Sequence, residues 1–151
     1  MKVAKKMSRN VIYFYPDEPI EFAYKIMKHV GVRHLPVVDD EKVVGVISDR
    51  DIFKYATLKD GELKLPNLKL RDIMSEDLIT LLASESVASA ASCMIEYKID
   101  CLPIVDEKQG LVGILTSTDL LELLISGDFD EIRHIPFDWE LKSYRQVAAG
   151  I

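Results

Sequence analysis

The chain has 151 residues, of which 48% are hydrophobic and 29% are charged, and its formal net charge at pH 7 is −6. This composition is typical of a soluble globular protein, and the length leaves room for one ordinary domain or for two half-domains that share a core. The acidic balance argues against non-specific binding of nucleic acid, and no apolar run approaches the ~18–20 residues that span a membrane. We therefore expect a cytoplasmic protein with no direct nucleic-acid partner and no membrane partner.

The first part of the chain predicts the order strand, helix, strand, strand, helix. β-Branched and aromatic residues over 11–15 predict a short strand. A helix is predicted over 17–30, because acidic residues and a proline open it and a glycine follows it. Two apolar runs, 35–38 and 43–47, predict a hairpin of buried strands, and a second helix begins at Ser48.

The second part of the chain repeats the first. The segment LPVVD at 35–39 returns as LPIVD at 102–106, and VGVISDRDI at 44–52 returns as VGILTSTDL at 112–120. Two like units that each leave an apolar face exposed are expected to bury it against one another. A cleft between the two related halves is then the natural place for a ligand.

The repeat divides the chain into four segments. Residues 1–59 form the first repeat, 60–70 form a linker with a glycine and a proline, and 71–125 form the second repeat. The tail, 126–151, contains the only tryptophan and predicts a short helix over 137–149. Its aromatic and aliphatic residues indicate that it packs against its own domain or against a partner.

The repeated signature resembles that of cystathionine-β-synthase (CBS) domains. It is a hydrophobic-Pro-hydrophobic-Val-Asp segment, followed by Val-Gly-hydrophobic-hydrophobic-Ser/Thr-x-x-Asp, and the resemblance covers residue 7 to about residue 125. The tandem form is often called a Bateman module. The resemblance implies an α/β fold of two βαββα repeats that pack with pseudo-twofold symmetry and leave two clefts. It also implies a regulatory, non-catalytic protein, often a homodimer, that binds adenosine nucleotides or related adenosyl ligands.

Each repeat places a hydroxyl and a carboxylate at a strand-to-helix junction: Ser48 and Asp51 in the first, Thr116 and Asp119 in the second. Free backbone N–H groups and the helix dipole attract a phosphate at such a junction. The aspartate is suited to accept hydrogen bonds from the hydroxyls of a ribose. The same spacing resembles a capping box, so a purely structural role is the alternative interpretation.

The two clefts implied by the resemblance are expected to differ in charge. In this family a cleft combines the Ser/Thr-x-x-Asp turn of one repeat with the first strand of the other, and the residues before the Leu-Pro step approach the phosphates. Arg33 is suited to bidentate phosphate contacts, whereas Asp100, its equivalent, repels them. A solvated surface position is the alternative for the arginines. The favoured, electropositive cleft is expected to contain Arg33, His34, Ser48, Arg50, Asp51, Ile79 and Thr80. The second cleft, poor in cations, is expected to contain Ile12, Tyr13, Thr116, Thr118 and Asp119.

No catalytic constellation stands out in the sequence. It contains no Gly-rich phosphate loop of the Walker type and no nucleophile elbow. The acidic residues near His134 are interpreted as a solvated turn, so we expect no enzyme, no metal and no required cofactor. The regulatory ligand is expected to be AMP, ADP, ATP or S-adenosylmethionine, in an energy-sensing module that signals to an unknown partner. The alternative function is a structural dimerisation adaptor with empty clefts.

Overall fold

The computed structural model describes residues 1–75 and 77–127. The helix predicted over 137–149 and the acidic segment near His134 lie outside the described residues. None of the described helices is both long enough and apolar enough to cross a bilayer. The same part of the chain contains no group of three or more His, Cys, Asp or Glu side chains arranged to hold a metal ion.

The first half contains the predicted helix and the predicted hairpin. Helix α1 (Ile20–Val30) leads into the antiparallel strands β1 (His34–Asp39) and β2 (Lys42–Ser48), and helix α2 (Asp49–Phe53) follows. Gly31 ends α1 with a φ of 73°, a left-handed conformation that glycine adopts without steric cost. Strand β1 is buried along four consecutive residues, as its continuous apolar run predicts.

The strand predicted over 11–15 does not form, apart from one residue. Phe14 makes an isolated parallel bridge to Val37. Its N–H donates to the Pro36 carbonyl at 3.0 Å, and its own carbonyl accepts the N–H of Val38 at 2.8 Å. The Phe14 side chain is buried, whereas the tyrosines on either side of it are exposed. One buried ring therefore anchors this segment, and the proline that follows cannot extend a ladder because it has no N–H.

The segment that joins the halves has structure of its own. A small hairpin of β3 (Thr57–Lys59) and β4 (Glu62–Lys64) precedes a short helix, α3 (Leu70–Ile73). The two residues of the hairpin turn, Asp60 and Gly61, have positive φ values of 54° and 77°, as a tight hairpin turn requires. All residues of the two strands are exposed, whereas Leu70 is fully buried.

The second half reproduces the first and adds one strand. Strand β5 (Leu81–Leu82) lies parallel to β6 (Cys101–Val105), which pairs antiparallel with β7 (Leu111–Thr116). Helix α4 (Val87–Tyr97) precedes this hairpin, and helix α5 (Ser117–Ser126) follows it. The second half is therefore a complete βαββα unit.

Each half completes its core with the segment that precedes the other half. Val3 and Met7 are buried in the core of the second half, and the N–H of Val3 donates to the Glu85 carbonyl at 2.9 Å. Their repeat equivalents, Leu70 and Met74, pack in the core of the first half. The recurrence of Met-Ser upstream of each repeat is thus explained by an exchange of segments between the halves.

A third apolar cluster joins the two halves. It contains Val38 and its repeat equivalent Val105, together with Val43 and its equivalent Leu111. Equivalent residues of two repeats meet at one place when an approximate twofold axis relates the repeats. The fold is therefore the predicted pair of α/β units packed with pseudo-twofold symmetry.

Candidate functional site

Two clefts lie where the halves meet, with volumes of about 690 Å³ and about 330 Å³, and they are named the large cleft and the small cleft. The large cleft is lined by the 116–119 turn of the second half together with residues 10–12 of the first half. The small cleft is lined by Ser48, Arg50 and Asp51 of the first half together with residues 77–79. Each cleft therefore combines the Ser/Thr-x-x-Asp turn of one half with the start of the other repeat.

Arg33 lies in the large cleft with Asp119 and not in the small cleft with Asp51. The expected grouping of Arg33 with the 48–51 turn is therefore wrong. The reason is the course of the loop between helix and strand, because residues 30–34 together form one wall of the large cleft. The equivalent loop of the second repeat, residues 98–101, forms a wall of the small cleft in the same way.

The other predicted site residues divide between the two clefts as follows. The large cleft is lined by Ile12, Thr116, Thr118 and Asp119. The small cleft is lined by Ser48, Arg50, Asp51 and Ile79, and His34 borders both clefts. Tyr13 and Thr80 are not among the described residues that line either cleft.

The turn in the small cleft is a complete capping box. Asp51 Oδ2 accepts the N–H and the hydroxyl of Ser48 at 2.9 and 2.7 Å, and Ser48 Oγ accepts the N–H of Asp51 at 3.1 Å. Asp51 Oδ1 accepts from the Lys54 ammonium at 3.2 Å. Partial burial opposes the charge, but the bonds from Ser48 and Lys54 lower the pKa of Asp51 below its ordinary value. Both oxygens of this carboxylate are already engaged.

The equivalent turn in the large cleft has a capping box that uses only one carboxylate oxygen. Asp119 Oδ2 accepts the N–H and the hydroxyl of Thr116 at 2.6 and 2.8 Å. No donor reaches Asp119 Oδ1 from within the described part of the chain. The structural interpretation of this motif is therefore correct, and it is compatible with ligand binding because the second oxygen remains available.

The backbone N–H groups of the two junctions are also unequally available. The first three of α2 donate in turn to the Arg33 carbonyl at 3.0 Å, the Asp49 carboxylate at 2.8 Å and the Ser48 hydroxyl at 3.1 Å. In α5 the N–H of Thr118 has no acceptor among the described residues. The sequence predicts free N–H donors at both junctions. Among the described residues of the two junctions, only the Thr118 N–H, in the large cleft, remains free.

The small cleft is the richer of the two in cations. Arg50, Lys54 and Lys98 line it, although Lys54 is paired with a carboxylate. Lys98 is not predicted from the sequence as a site residue. The sequence feature that could have identified it is a lysine at the position of Gly31 in the other repeat. Lys98 ends α4 there in the left-handed conformation, with a φ of 54°. Arg33, which lines the large cleft, is likewise paired with a carboxylate, since its guanidinium donates to Asp49 at 3.2 Å.

His34 is the one predicted site residue that borders both clefts. Burial lowers the pKa of its imidazole below the ordinary value, against the opposite effect of the Asp100 and Asp49 carboxylates. Within the described residues its ring makes no hydrogen bond. The imidazole is therefore neutral near pH 7.5 and available to a ligand.

Comparison with known proteins identifies relatives of the whole repeat pair. The family model of the CBS domain matches residues 3–57 and 70–126. The CBS domain pair of protein MJ0100, in complex with 5′-methylthioadenosine and S-adenosyl-L-methionine, superposes with a TM-score of 0.73 at 31% identity, over 84% of this chain and 98% of that one. CBSX2 in complex with AMP superposes with a TM-score of 0.71 at 25% identity, with the same two coverages.

Some relatives are much longer proteins. Homoserine O-acetyltransferase of Methanococcoides burtonii is 35% identical over 123 residues, which is 81% of this chain and 24% of that protein. The chain spans 22% of an inosine-5′-monophosphate dehydrogenase and 44% of protein MJ1225. The similarity to proteins that carry enzyme names is thus confined to a part of their length.

Proposed function

Because the chain belongs to the CBS domain family, we propose that it is a non-catalytic regulatory module that binds an adenosine-containing ligand and signals to a partner protein. The observation that carries this proposal is the available carboxylate oxygen of Asp119, in the same cleft as the Arg33 guanidinium. The volume of that cleft, about 690 Å³, lies within the range of small-molecule sites in proteins.

The large cleft offers each group that an adenosine nucleotide needs. Asp119 Oδ1 accepts hydrogen bonds from the ribose hydroxyls, and Arg33 makes charge-assisted contacts to the phosphate. The Thr118 N–H adds a donor beside the phosphate. Ile12 and Ile114 supply apolar surface for the adenine ring. AMP is the simplest ligand that uses all four groups, and ADP, ATP and S-adenosylmethionine share its adenosine part.

The small cleft is a second candidate site for the same class of ligand. Arg50 and Lys98 supply cations, which favour a phosphate or a carboxylate group. A ribose that used Asp51 Oδ1 would compete with the Lys54 ammonium for that oxygen. We therefore propose that the small cleft binds adenosine ligands more weakly than the large cleft.

Calorimetric titration with AMP and with adenosine tests this assignment. Arg33→Ala should lower the affinity for AMP by about ten- to a hundredfold, the equivalent of one charge-assisted hydrogen bond. The affinity for adenosine should stay nearly unchanged, because adenosine has no phosphate. Asp119→Ala should lower the affinity for both compounds. Asp51→Ala is the matched control, since it also removes a capping box but should leave the tightest site intact.

Two results would contradict the proposal. Loss of the tightest site in Asp51→Ala, with Asp119→Ala unaffected, would move the principal ligand to the small cleft. Absence of binding by AMP, ADP, ATP, S-adenosylmethionine and adenosine at millimolar concentration would favour the dimerisation adaptor with empty clefts.

We also propose that the protein is a homodimer. The neighbouring helices α4 and α5 expose several apolar side chains, among them Ile95, Leu121 and Ile125, which are 59%, 57% and 86% exposed. A second copy would cover such a surface symmetrically. Light scattering at tens of micromolar should give the mass of a dimer, and Leu121→Glu should give a monomer. Leu58→Glu, on the exposed hairpin, is the matched control, and a monomeric wild type would contradict the proposal.

A further inference from the structure

One residue that lines both clefts has an imidazole, whose charge can change near neutral pH. His34 is the first residue of β1, and it lines the large cleft and the small cleft alike. Asp100, which precedes β6, is the other charged or titratable residue shared by both described linings. A change of charge on the imidazole therefore acts on a ligand in either cleft, because unit charges a few ångströms apart interact strongly at a partly buried position.

The pseudo-twofold symmetry is broken at this position. The repeat equivalent of His34 is Cys101, which is buried and lines the small cleft alone. Burial raises the pKa of the Cys101 thiol to about 12, with smaller contributions from Asp119 and Asp100, so the thiol stays neutral. The wall between the clefts therefore carries one imidazole that can change its charge near neutral pH.

Charged groups face the imidazole from each element that packs around it. Asp49 and Asp51 of α2 and Asp100 before β6 favour the protonated ring, whereas burial and its neighbour Arg33 disfavour it. The turn of α5 adds the Asp119 carboxylate to the large cleft. The small cleft adds Asp77 and the cations of Arg50, Lys54 and Lys98. Without ligand these influences leave the ring neutral, and a further negative charge near it favours protonation.

We propose that His34 links the two clefts through a proton. A phosphate group that binds in either cleft favours transfer of a proton from solvent onto the free ring nitrogen, and the charged imidazole then strengthens phosphate binding in the other cleft. No covalent bond changes except the new N–H, and the ligand keeps its own charge. This inference rests on the proposed function, and it adds a proton as a co-ligand and a positive coupling between the two sites.

Proton uptake on binding is measured by titrating the full chain with AMP in buffers of different ionisation enthalpy. The wild type should take up a fraction of a proton per AMP bound at pH 7.5, and adenosine should cause no uptake. His34→Gln should lose this fraction. Only a small release of protons from the AMP phosphate, whose second pKa is about 6, should remain, because nearby cations favour the dianion. His34→Asn is a second variant, and circular dichroism verifies that each variant is folded.

The coupling between clefts is tested with a variant of each cleft. Asp119→Ala and Asp51→Ala should each retain His34-dependent proton uptake at the remaining site, because the imidazole serves both clefts. Uptake that disappears in only one of these variants would assign His34 to a single cleft and overturn the coupling. Equal uptake in the wild type and in His34→Gln would overturn the inference while leaving the proposed function in place. If neither AMP nor adenosine bound at all, both would be overturned.

Discussion

At the scale of single residues, the two clefts differ because two equivalent aspartates have different neighbours. Asp51 Oδ1 accepts from the Lys54 ammonium, one turn further along the helix. The repeat equivalent of Lys54 is Glu122, which cannot donate, and Asp119 Oδ1 is therefore left without a donor in the described structure. A lysine at one position and a glutamate at its equivalent, outside the repeated motif, thus distinguish the two carboxylates, and under the proposed function they favour Asp119 as the ribose acceptor.

Exchanging these two neighbours should exchange the properties of the clefts. Glu122→Lys should supply a donor to Asp119 and lower the affinity of the large cleft for adenosine severalfold. Lys54→Glu should free Asp51 Oδ1 and raise the affinity of the small cleft for adenosine. Neither change should alter the free energy of unfolding by more than about 1 kcal/mol, because an exposed ion pair contributes little. Calorimetric titration checks this prediction, and unaltered affinities in both variants would show that the free oxygen does not control binding.

His34 should make the stability of the ligand-free protein depend on pH. Burial holds the pKa of the imidazole in the folded state below the ordinary value of 6.5. As the pH falls through that value, the unfolded chain takes up the proton first, so the free energy of unfolding falls until the folded state is protonated as well. Urea midpoints between pH 7.5 and pH 5 should therefore decrease less in His34→Gln than in the wild type. Parallel curves for the two proteins would contradict the lowered pKa.

At the scale of secondary structure, the repeat made most elements predictable. The helices over 20–30 and 87–97 and the two hairpins follow from apolar periodicity that occurs twice. The strand over 11–15 was not predictable in this way, because propensity does not reveal whether a partner strand runs beside it. The position of Arg33 was not predictable either, since cleft membership depends on the course of a loop in space. The partners of Asp51 and Asp119 required side-chain geometry.

The repeated Val-Gly step also has an explanation at this scale. A Cβ atom on Gly113 would lie 2.6 Å from the sulfur of Met7 and 3.0 Å from the Ser8 carbonyl oxygen. On Gly45 it would lie 2.8 Å from the sulfur of Met74. The glycine is therefore required because the exchanged segment passes directly over the second strand of each hairpin, and a side chain there would force the two apart.

The ends of the two equivalent helices carry a matched test of backbone strain. Lys98 adopts the left-handed conformation at a φ of 54°, where Gly31 stands at 73° in the first repeat. A Cβ atom on Gly31 would meet no atom within 4 Å, so only the backbone resists a side chain there. Lys98→Gly should stabilise the protein by about 0.5–1 kcal/mol, and Gly31→Lys should destabilise it by about 1–2 kcal/mol.

Denaturant titration measures both changes, and two effects of the same sign would contradict the argument. Lys98→Gly should also weaken anionic ligands in the small cleft, because it removes a cation from the lining. A strained lysine that lines a cleft is consistent with selection for binding at the expense of stability.

At the scale of the whole molecule, the exchange of segments makes the two halves depend on one another. Val3 is fully buried in the core of the second half, and Leu70, its equivalent, is fully buried in the core of the first half. Residues around Val38 and Val105 add a shared apolar cluster between them. If the core of one half unfolds, it releases a segment that belongs to the chain of the other half. We therefore expect the described part of the chain to unfold as one cooperative unit.

This expectation is tested by truncating one exchanged residue at a time. Val3→Ala should lower the free energy of unfolding by about 2 kcal/mol, and Leu70→Ala by about 2–5 kcal/mol, because each leaves a cavity in a fully buried position. Hydrogen exchange should show an equal loss of protection in the strands of both halves for either variant. Leu58→Ala, at a position that is 78% exposed, is the control and should change little. A loss of protection confined to the second half in Val3→Ala, and to the first half in Leu70→Ala, would show that the halves unfold independently.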